Sequence, residues 1–393
     1  MAGHARSIGG LTMQFSRVSF VPVSIGGDDV TGALRKLDLN FGDLGQSLGN
    51  AAGMNVGTVE GSVAAGNDDR LTRDIWRNKI LNASFDVWQR GPGPFTNGYT
   101  ADRWLTTSAG NTCVVDRFPL VAGASSSRNA VRCSVASVPG DGSFSALQQR
   151  IEDVVTFAGS TVTVSFLASA SLDGKRIGVN LEQNMGPGGS AVVQLPGQSI
   201  ALSGSLRRYT LHFDLPSLSG RLIGASGSDF LELIFWLDAG PSFAMRSGSI
   251  GQQSATVYIS DVEVKPGTVD TVFERRDRAA ELALCQRYYE KSYNLETKPG
   301  AIEWQGRVCI DSNGISHGTT IIMKEGFSVR KRKSPVITGY SAVDGAVNQA
   351  AQSDSSNTGL GIRVVGESGF EWFVNNAPGA GGAYFHWTAD AEL

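Results

Sequence analysis

Carboxylates are the first groups in this chain whose type could do chemistry. Glu182 in "GVNLEQN" and Glu232 in "FLELIF" each interrupt an apolar run. Two such groups about 5 to 9.5 Å apart can work as acid and base, or as acid and nucleophile, across a scissile acetal. No spacing ties either one to a partner. The histidines, His4, His212, His317 and His386, fall in no H-E-x-x-H pattern, and no G-x-S-x-G occurs, so zinc-protease and nucleophile-elbow chemistry find no support. Cys113, Cys133, Cys285 and Cys309 have no C-x-x-C spacing; free, mostly buried thiols are expected, not disulfides or zinc. No D-x-[DN]-x-[DN]-G loop is present, which leaves a weak case for structural calcium near Asp261 and no other cofactor. The expectation is a non-catalytic protein.

Aromatic residues are the second group of interest. In "ILNASFDVWQRGPGPFTNGYTADRW", residues 80–104, Trp88 and Trp104 can stack on the C–H face of a sugar ring or fill a core with the ring N–H bonded; packing is favoured for both. Asp102 and Arg103 are adjacent, so in a strand they face opposite ways. Arg90 or Arg103 is instead expected to hold Asp86 or Asp102. A later cluster contains Trp372, Phe373, Tyr384, His386 and Trp387, beside Asn375 and Asn376. Alternation puts Tyr384 with His386 on one face and Phe385 with Trp387 on the other, one set facing solvent or a neighbouring subunit. The glycan-contact candidates are thus Trp88, Trp104, Trp372, Asn375, Tyr384, His386 and Trp387, with core or interface packing the alternative for the same rings. Trp236 is expected in a core, and "RKRKSP", Arg330 to Lys333, in a solvated turn.

The elements that must position these residues are mostly strands. From 76 to 270 the period is two: Val162, Val164 and Phe166; Ile177, Val179 and Leu181; Tyr209, Leu211 and Phe213. "FLELIFWLD" is more continuously apolar, as an inner strand would be, and the face switch between Ile259 and Val262 suggests a bulge. Gly, Pro and Ser turns between them predict an antiparallel sandwich with wet outer faces. Residues 271–298 hold a helical pattern, uninterrupted by Gly or Pro over 272–293 and capped by Asp270 or Thr271. Six strand candidates in 299–393 predict a smaller β domain.

Residues 1–75 have little to bury on their own. Leu34, Leu37, Phe41, Leu44 and Leu48 follow heptad spacing, a seam that buries itself against copies of itself or lies on its own chain. Across the whole chain the net charge of -3 gives no reason to expect nucleic-acid binding. No run approaches eighteen apolar residues, and the N-terminus lacks a secretion signal, so membrane insertion is not expected and assembly in cytoplasm is.

"ILNASFDVWQRG" with "YTADRW", then "VYISDVEVKPG" followed by "FERRDRAAELALCQRYYEKS", resembles the carbohydrate-binding-module-like jelly roll of many bacteriophage tail fibre and receptor-binding proteins. Upstream, "VGTVEGSVAAGNDDRL" is similar to the connector before distal fibre domains. The resemblance spans roughly residues 56 to 293. It implies a mainly β fold, an antiparallel jelly-roll sandwich plus a smaller C-terminal β domain, behind an extended and short-helical attachment segment. It also implies a homotrimer, a virion protein as partner at the N-terminus, a location on a tail or baseplate appendage, and a host-surface polysaccharide as ligand. The alternatives are a structural or decoration fibre of head, collar or baseplate, and a polysaccharide hydrolase.

Overall fold

The computed structural model describes residues 78–270, 272–311, 320–375 and 381–393, together with positions 32 and 35 and four short strands near the N-terminus. Those strands are β1 (Ala5–Ile8), antiparallel to β2 (Leu11–Gln14), and β3 (Val56–Gly57), parallel to β4 (Val63–Ala64). The proposed seam from Leu34 to Leu48, and Asn376, lie outside the described residues. The chain divides into two units, Met1–Asp74 and Ile75–Leu393.

The second unit begins with a sandwich built from β5 (Gly98–Tyr99), β6 (Trp104–Ala109), β7 (Thr112–Pro119), β8 (Asn129–Ala136), β9 (Phe144–Glu152), β10 (Thr161–Ala170), β11 (Arg176–Asn184), β12 (Val193–Gln194), β13 (Gln198–Ala201), β14 (Arg207–Asp214), β15 (Phe230–Ala239) and β16 (Ala255–Pro266). One sheet runs β14-β10-β16-β8-β7; the other runs β12-β11-β15-β9-β6-β5, with β13 also on β11. Successive strands repeatedly change sheet, as from β8 to β9 to β10 to β11, which makes a jelly roll. Alternation explains the pairing: Val162, Val164 and Phe166 meet Ile177, Val179, Leu181, Leu231, Leu233 and Phe235 in one core. A one-residue slip would turn these side chains to solvent. The register of β10 on β16 shifts between Ser165 and Leu167, opposite Glu263 and Ser260, where the face switch predicted a bulge.

The outer face of the seven-stranded sheet is less wet than expected. Ile234 and Trp236 on β15 are buried there beneath Phe243 and the short helix α1 (Ala244–Ser247). Gly178 permits that approach, since a Cβ there would lie 2.1 Å from the Ser247 carbonyl oxygen.

The predicted long helix is shorter. Helix α2 spans Arg278–Gln286, and its cap is Asp277, whose side chain accepts the N–H groups of Ala279 and Ala280. Before it, Arg275 and Arg276 are drawn into ion pairs with Asp86 and Glu281. After it, β17 (Tyr289–Lys291) pairs with β24 (Gly382–Asp390), a tertiary pairing that overrides helical propensity. The remaining strands, β18 (Val308–Asp311), β19 (Thr320–Gly326), β20 (Val336–Ser341), β21 (Gln349–Gln352), β22 (Asn357–Gly366) and β23 (Gly369–Asn375), complete an eight-stranded sheet around β24. Its core gathers Phe370, Trp372, Phe385 and Trp387. The fold is mainly β, a jelly-roll sandwich followed by a smaller β-sheet. No helix of the described residues is long and apolar enough to cross a membrane.

Candidate functional site

The jelly-roll entry stretch is a structural junction. Trp88 and Trp104 are buried, their ring N–H groups donating to the carbonyls of Phe85 at 2.6 Å and Asn82 at 3.0 Å. Trp104 stacks on Phe85 with centroids 4.8 Å apart. Neither ring offers a face to a sugar, which corrects their candidacy. Arg90 sits 3.8 Å from Asp102, as expected, but Asp86 is held by Arg275 and Arg103 pairs with Glu392 at the far end of the chain. Arg90 and Arg103 also lie over the rings of Tyr289 and Tyr288, at 3.6 and 3.5 Å.

Trp372, His386 and Trp387 are likewise buried, so they too are withdrawn as direct contacts. Trp372 packs edge-on against Phe385 at 4.8 Å. Asn375 is exposed and bonds Thr320 at 3.0 Å, and Tyr384 is half-buried. The run "RKRKSP" is not wholly solvated. Lys331 is buried, donating to the carbonyls of Gln286 at 2.6 Å and Val329 at 2.7 Å and pairing with Glu290. Cys113, Cys133 and Cys285 are buried free thiols; Cys309 is exposed. Both Asp261 oxygens accept serine hydroxyls, from Ser125 at 2.6 Å and from Ser127, and no metal-ligating group of three or more side chains occurs among the described residues.

The outward face of β24 carries the arrangement with most chemical scope. The chain leaves β17, passes over that face as the loop 292–307, and returns as β18. His386 anchors the loop. Tyr293 stacks on it with centroids 3.7 Å apart, its Nε2 lies 3.0 Å from the Glu303 carbonyl oxygen, and its Nδ1 lies 3.0 Å from the Ser292 hydroxyl. A carbonyl can only accept, so Nε2 carries the proton and Nδ1 accepts from Ser292. Burial lowers the His386 pKa and keeps the ring neutral. Gly306, at φ 78°, turns the chain into β18; a Cβ there would meet the Ser292 carbonyl oxygen at 2.3 Å.

Above this base stands Trp304, 47 % exposed. Its backbone N–H and that of Gln305 donate to the Glu303 carboxylate, at 2.8 and 3.0 Å, and these bonds hold that exposed carboxyl below its ordinary range. Arg307 donates to the Trp304 carbonyl at 2.9 Å, and its guanidinium carbon lies 4.3 Å from the Trp304 ring and 5.0 Å from the Tyr384 ring. Trp304 and Tyr384 meet edge to face at 5.8 Å. The result is a half-exposed indole packed against a guanidinium and a tyrosine ring, in a loop where Glu303 holds the backbone and the Asn294 amide donates to the Gln305 side-chain carbonyl at 3.0 Å. A flat apolar face ringed by polar groups suits a sugar ring, whose C–H face and hydroxyls need both. Sequence reasoning found Tyr384 and missed Trp304 and Arg307, because "AIEWQGRVCI" reads as a strand. The signal available was a tryptophan with Glu303, Gln305 and Arg307 as near neighbours.

The two carboxylates noted first do come together. Glu182 and Glu232 are directly opposed in the β11–β15 ladder. Like charges so placed repel, and here each is matched by arginine: Arg246 on Glu182 at 2.6 Å and Arg150 on Glu232 at 3.0 Å. Burial raises the Glu232 pKa, and Arg150 opposes the shift. Both carboxylates are buried and ion-paired, an arrangement suited to fastening strands.

No family model matches the chain, and no curated protein matches it. Among solved structures it is similar to the enzymatically active domain of tailspike protein 4 of bacteriophage CBA120, at 14 % identity and TM-score 0.31, over 49 % of this chain and 22 % of that one. It is also similar to a putative sugar-binding protein of Bacteroides thetaiotaomicron, at 15 % and 0.32, over 48 % and 100 %. A third is a family 11 carbohydrate-binding module of Clostridium thermocellum in complex with a β-1,3-1,4-mixed-linked tetrasaccharide, at 10 % and 0.30, over 46 % and 100 %. The chain spans about a fifth of the tailspike domain's length. Likenesses this distant carry no argument about ligand or role.

Proposed function

We propose that the chain is a phage virion fibre protein that attaches through residues 1–75 and displays its β domains for non-catalytic recognition of host-surface polysaccharide. The observation that carries the glycan reading is the half-exposed Trp304, held against Arg307 and Tyr384. The virion reading is supported by the motifs between residues 56 and 293 and by the heptad spacing of Leu34 to Leu48. A homotrimer, a virion protein receiving the N-terminus and a tail or baseplate location belong to the same proposal, as does the division into 1–75, 76–270, 271–298 and 299–393. Repetition of a weak site on one particle raises avidity without new contacts. The ion-paired state of Glu182 and Glu232 argues against the hydrolase reading.

The test is binding of the full chain to an array of bacterial surface polysaccharides, with Trp304→Ala and Arg307→Gln beside it. At least one polysaccharide should be retained by the wild type and lost by Trp304→Ala with the fold intact. Equal retention by Trp304→Ala would remove the site from the reading, and shortening of the polysaccharide would favour an enzyme.

A further inference from the structure

A cavity of about 330 Å³ lies where the end of β9, the segment 78–81 and helix α2 meet. Five cationic side chains line it, Lys79, Arg103, Arg150, Arg276 and Arg287, against the carboxylates of Glu152 and Asp153. Glu392, Glu232 and Glu281, which pair with Arg103, Arg150 and Arg276, do not line it. Glu152 is already engaged: Arg287 donates to its two oxygens at 2.9 and 3.2 Å, and the Tyr288 hydroxyl donates at 2.7 Å. Lys79 and Asp153 are exposed, so the rim of the cavity reaches solvent.

The guanidinium groups around this space are not fully satisfied. Arg103 is only 1 % exposed, and its Nε has no acceptor among the described residues. Arg332 does not line the cavity but is tied to it through its backbone N–H, which donates to the Arg287 carbonyl at 3.1 Å. The Arg332 side chain donates to the Gly227 carbonyl at 3.1 Å, but its Nε and Nη2 are buried without an acceptor and no carboxylate lies in ion-pair range among the described residues. A buried donor left without an acceptor is costly, more so on a cation, and such groups in a folded protein mark a place for water or an ion.

We propose that this cavity is an anion site and that its ligand is a carboxylate-bearing sugar, a uronic-acid residue of a polysaccharide. The size lies at the small end of ligand pockets, suited to one sugar ring and not to an extended chain. Cationic donors make their stronger hydrogen bonds with a carboxylate, and since the lining arginines already hold protein acceptors, the exposed Lys79 ammonium is the first cation a ligand would meet. The sugar assignment rests on the glycan reading above, whereas the anion assignment does not. No residue of the cavity belongs to the Trp304 surface.

The experiment is calorimetric titration of the full chain with glucuronate, glucose and inorganic phosphate at constant ionic strength, using wild type, Lys79→Gln, Arg287→Gln and Trp304→Ala. Lys79 is exposed, so Lys79→Gln leaves a folded protein to measure. Expected is saturable binding of glucuronate, at least tenfold stronger than of phosphate and absent for glucose. It should weaken severalfold in Lys79→Gln and Arg287→Gln and be unchanged in Trp304→Ala. Phosphate binding as strongly as glucuronate at the same residues overturns the sugar assignment. Absence of anion binding, or binding indifferent to Lys79→Gln and Arg287→Gln, overturns the site. Loss of array binding in Trp304→Ala, together with no glucuronate binding by the wild type, leaves the first reading standing and sinks only this one.

Discussion

The junction near Arg103 and the surface near Trp304 use the same pairing, a guanidinium against an aromatic ring, with opposite solvation. Arg103 over Tyr288 and Arg90 over Tyr289 are largely buried, with carboxylates to balance them. Arg307, against Trp304 and Tyr384, is half-buried at the surface, where the Glu303 carboxylate is committed to backbone N–H groups. The difference teaches that the stack itself decides nothing about role. Inside, removing one member leaves a buried charge short of a partner; outside, the indole stays 47 % exposed.

The comparison can be broken at several points. Trp104→Ala empties a buried site between Phe85 and Phe235 and should cost about 3 to 5 kcal/mol in urea unfolding. Arg103→Met leaves Glu392 with Arg90 alone, at 3.5 Å, and should cost up to about 3 kcal/mol, whereas Arg103→Met with Glu392→Leu should recover most of that. A single variant costing under about 1 kcal/mol would mean that the junction is wetter than described. Trp304→Ala and Arg307→Gln should each stay within about 1 kcal/mol of wild type, the usual worth of an exposed cation–ring contact; a loss comparable with that of Trp104→Ala would make the surface a core.

The smallest expected effect is in pH. His386, facing Tyr293, Ser292, the Glu303 carbonyl, Arg307 and Lys291, has a folded pKa below the ordinary value of about 6.5. The unfolded chain therefore binds more protons between the two values. The stability from the neutral ring is fully present above about 6.5 and is lost as pH falls through the folded value. His386→Gln should flatten the acid limb of the stability curve below pH 6.5; an unchanged limb would show that the ring is not held neutral.

Much of the jelly roll was legible in residues 162–181, because a period of two with large apolar groups permits only one buried face. The C-terminal strands were legible for the same reason, as were the opposite directions of Trp372 and Phe373. The helix limits were not, since the strand Tyr289–Lys291 exists only through its pairing with β24. Lys331 also escaped notice: four basic residues in a row look solvated until Glu290 and two carbonyls are brought around one of them.

By itself the sequence determined which segments alternate and where glycine permits tight passages, since these depend on neighbouring residues alone. Only the tertiary structure decided which aromatic rings meet water and which carboxylate answers each arginine. Arg103 and Glu392 are 289 positions apart, and Trp304 reaches its surface because a loop anchored on His386 carries it there. Such pairings follow from how strands from distant parts of the chain register against one another, and no local pattern encodes that.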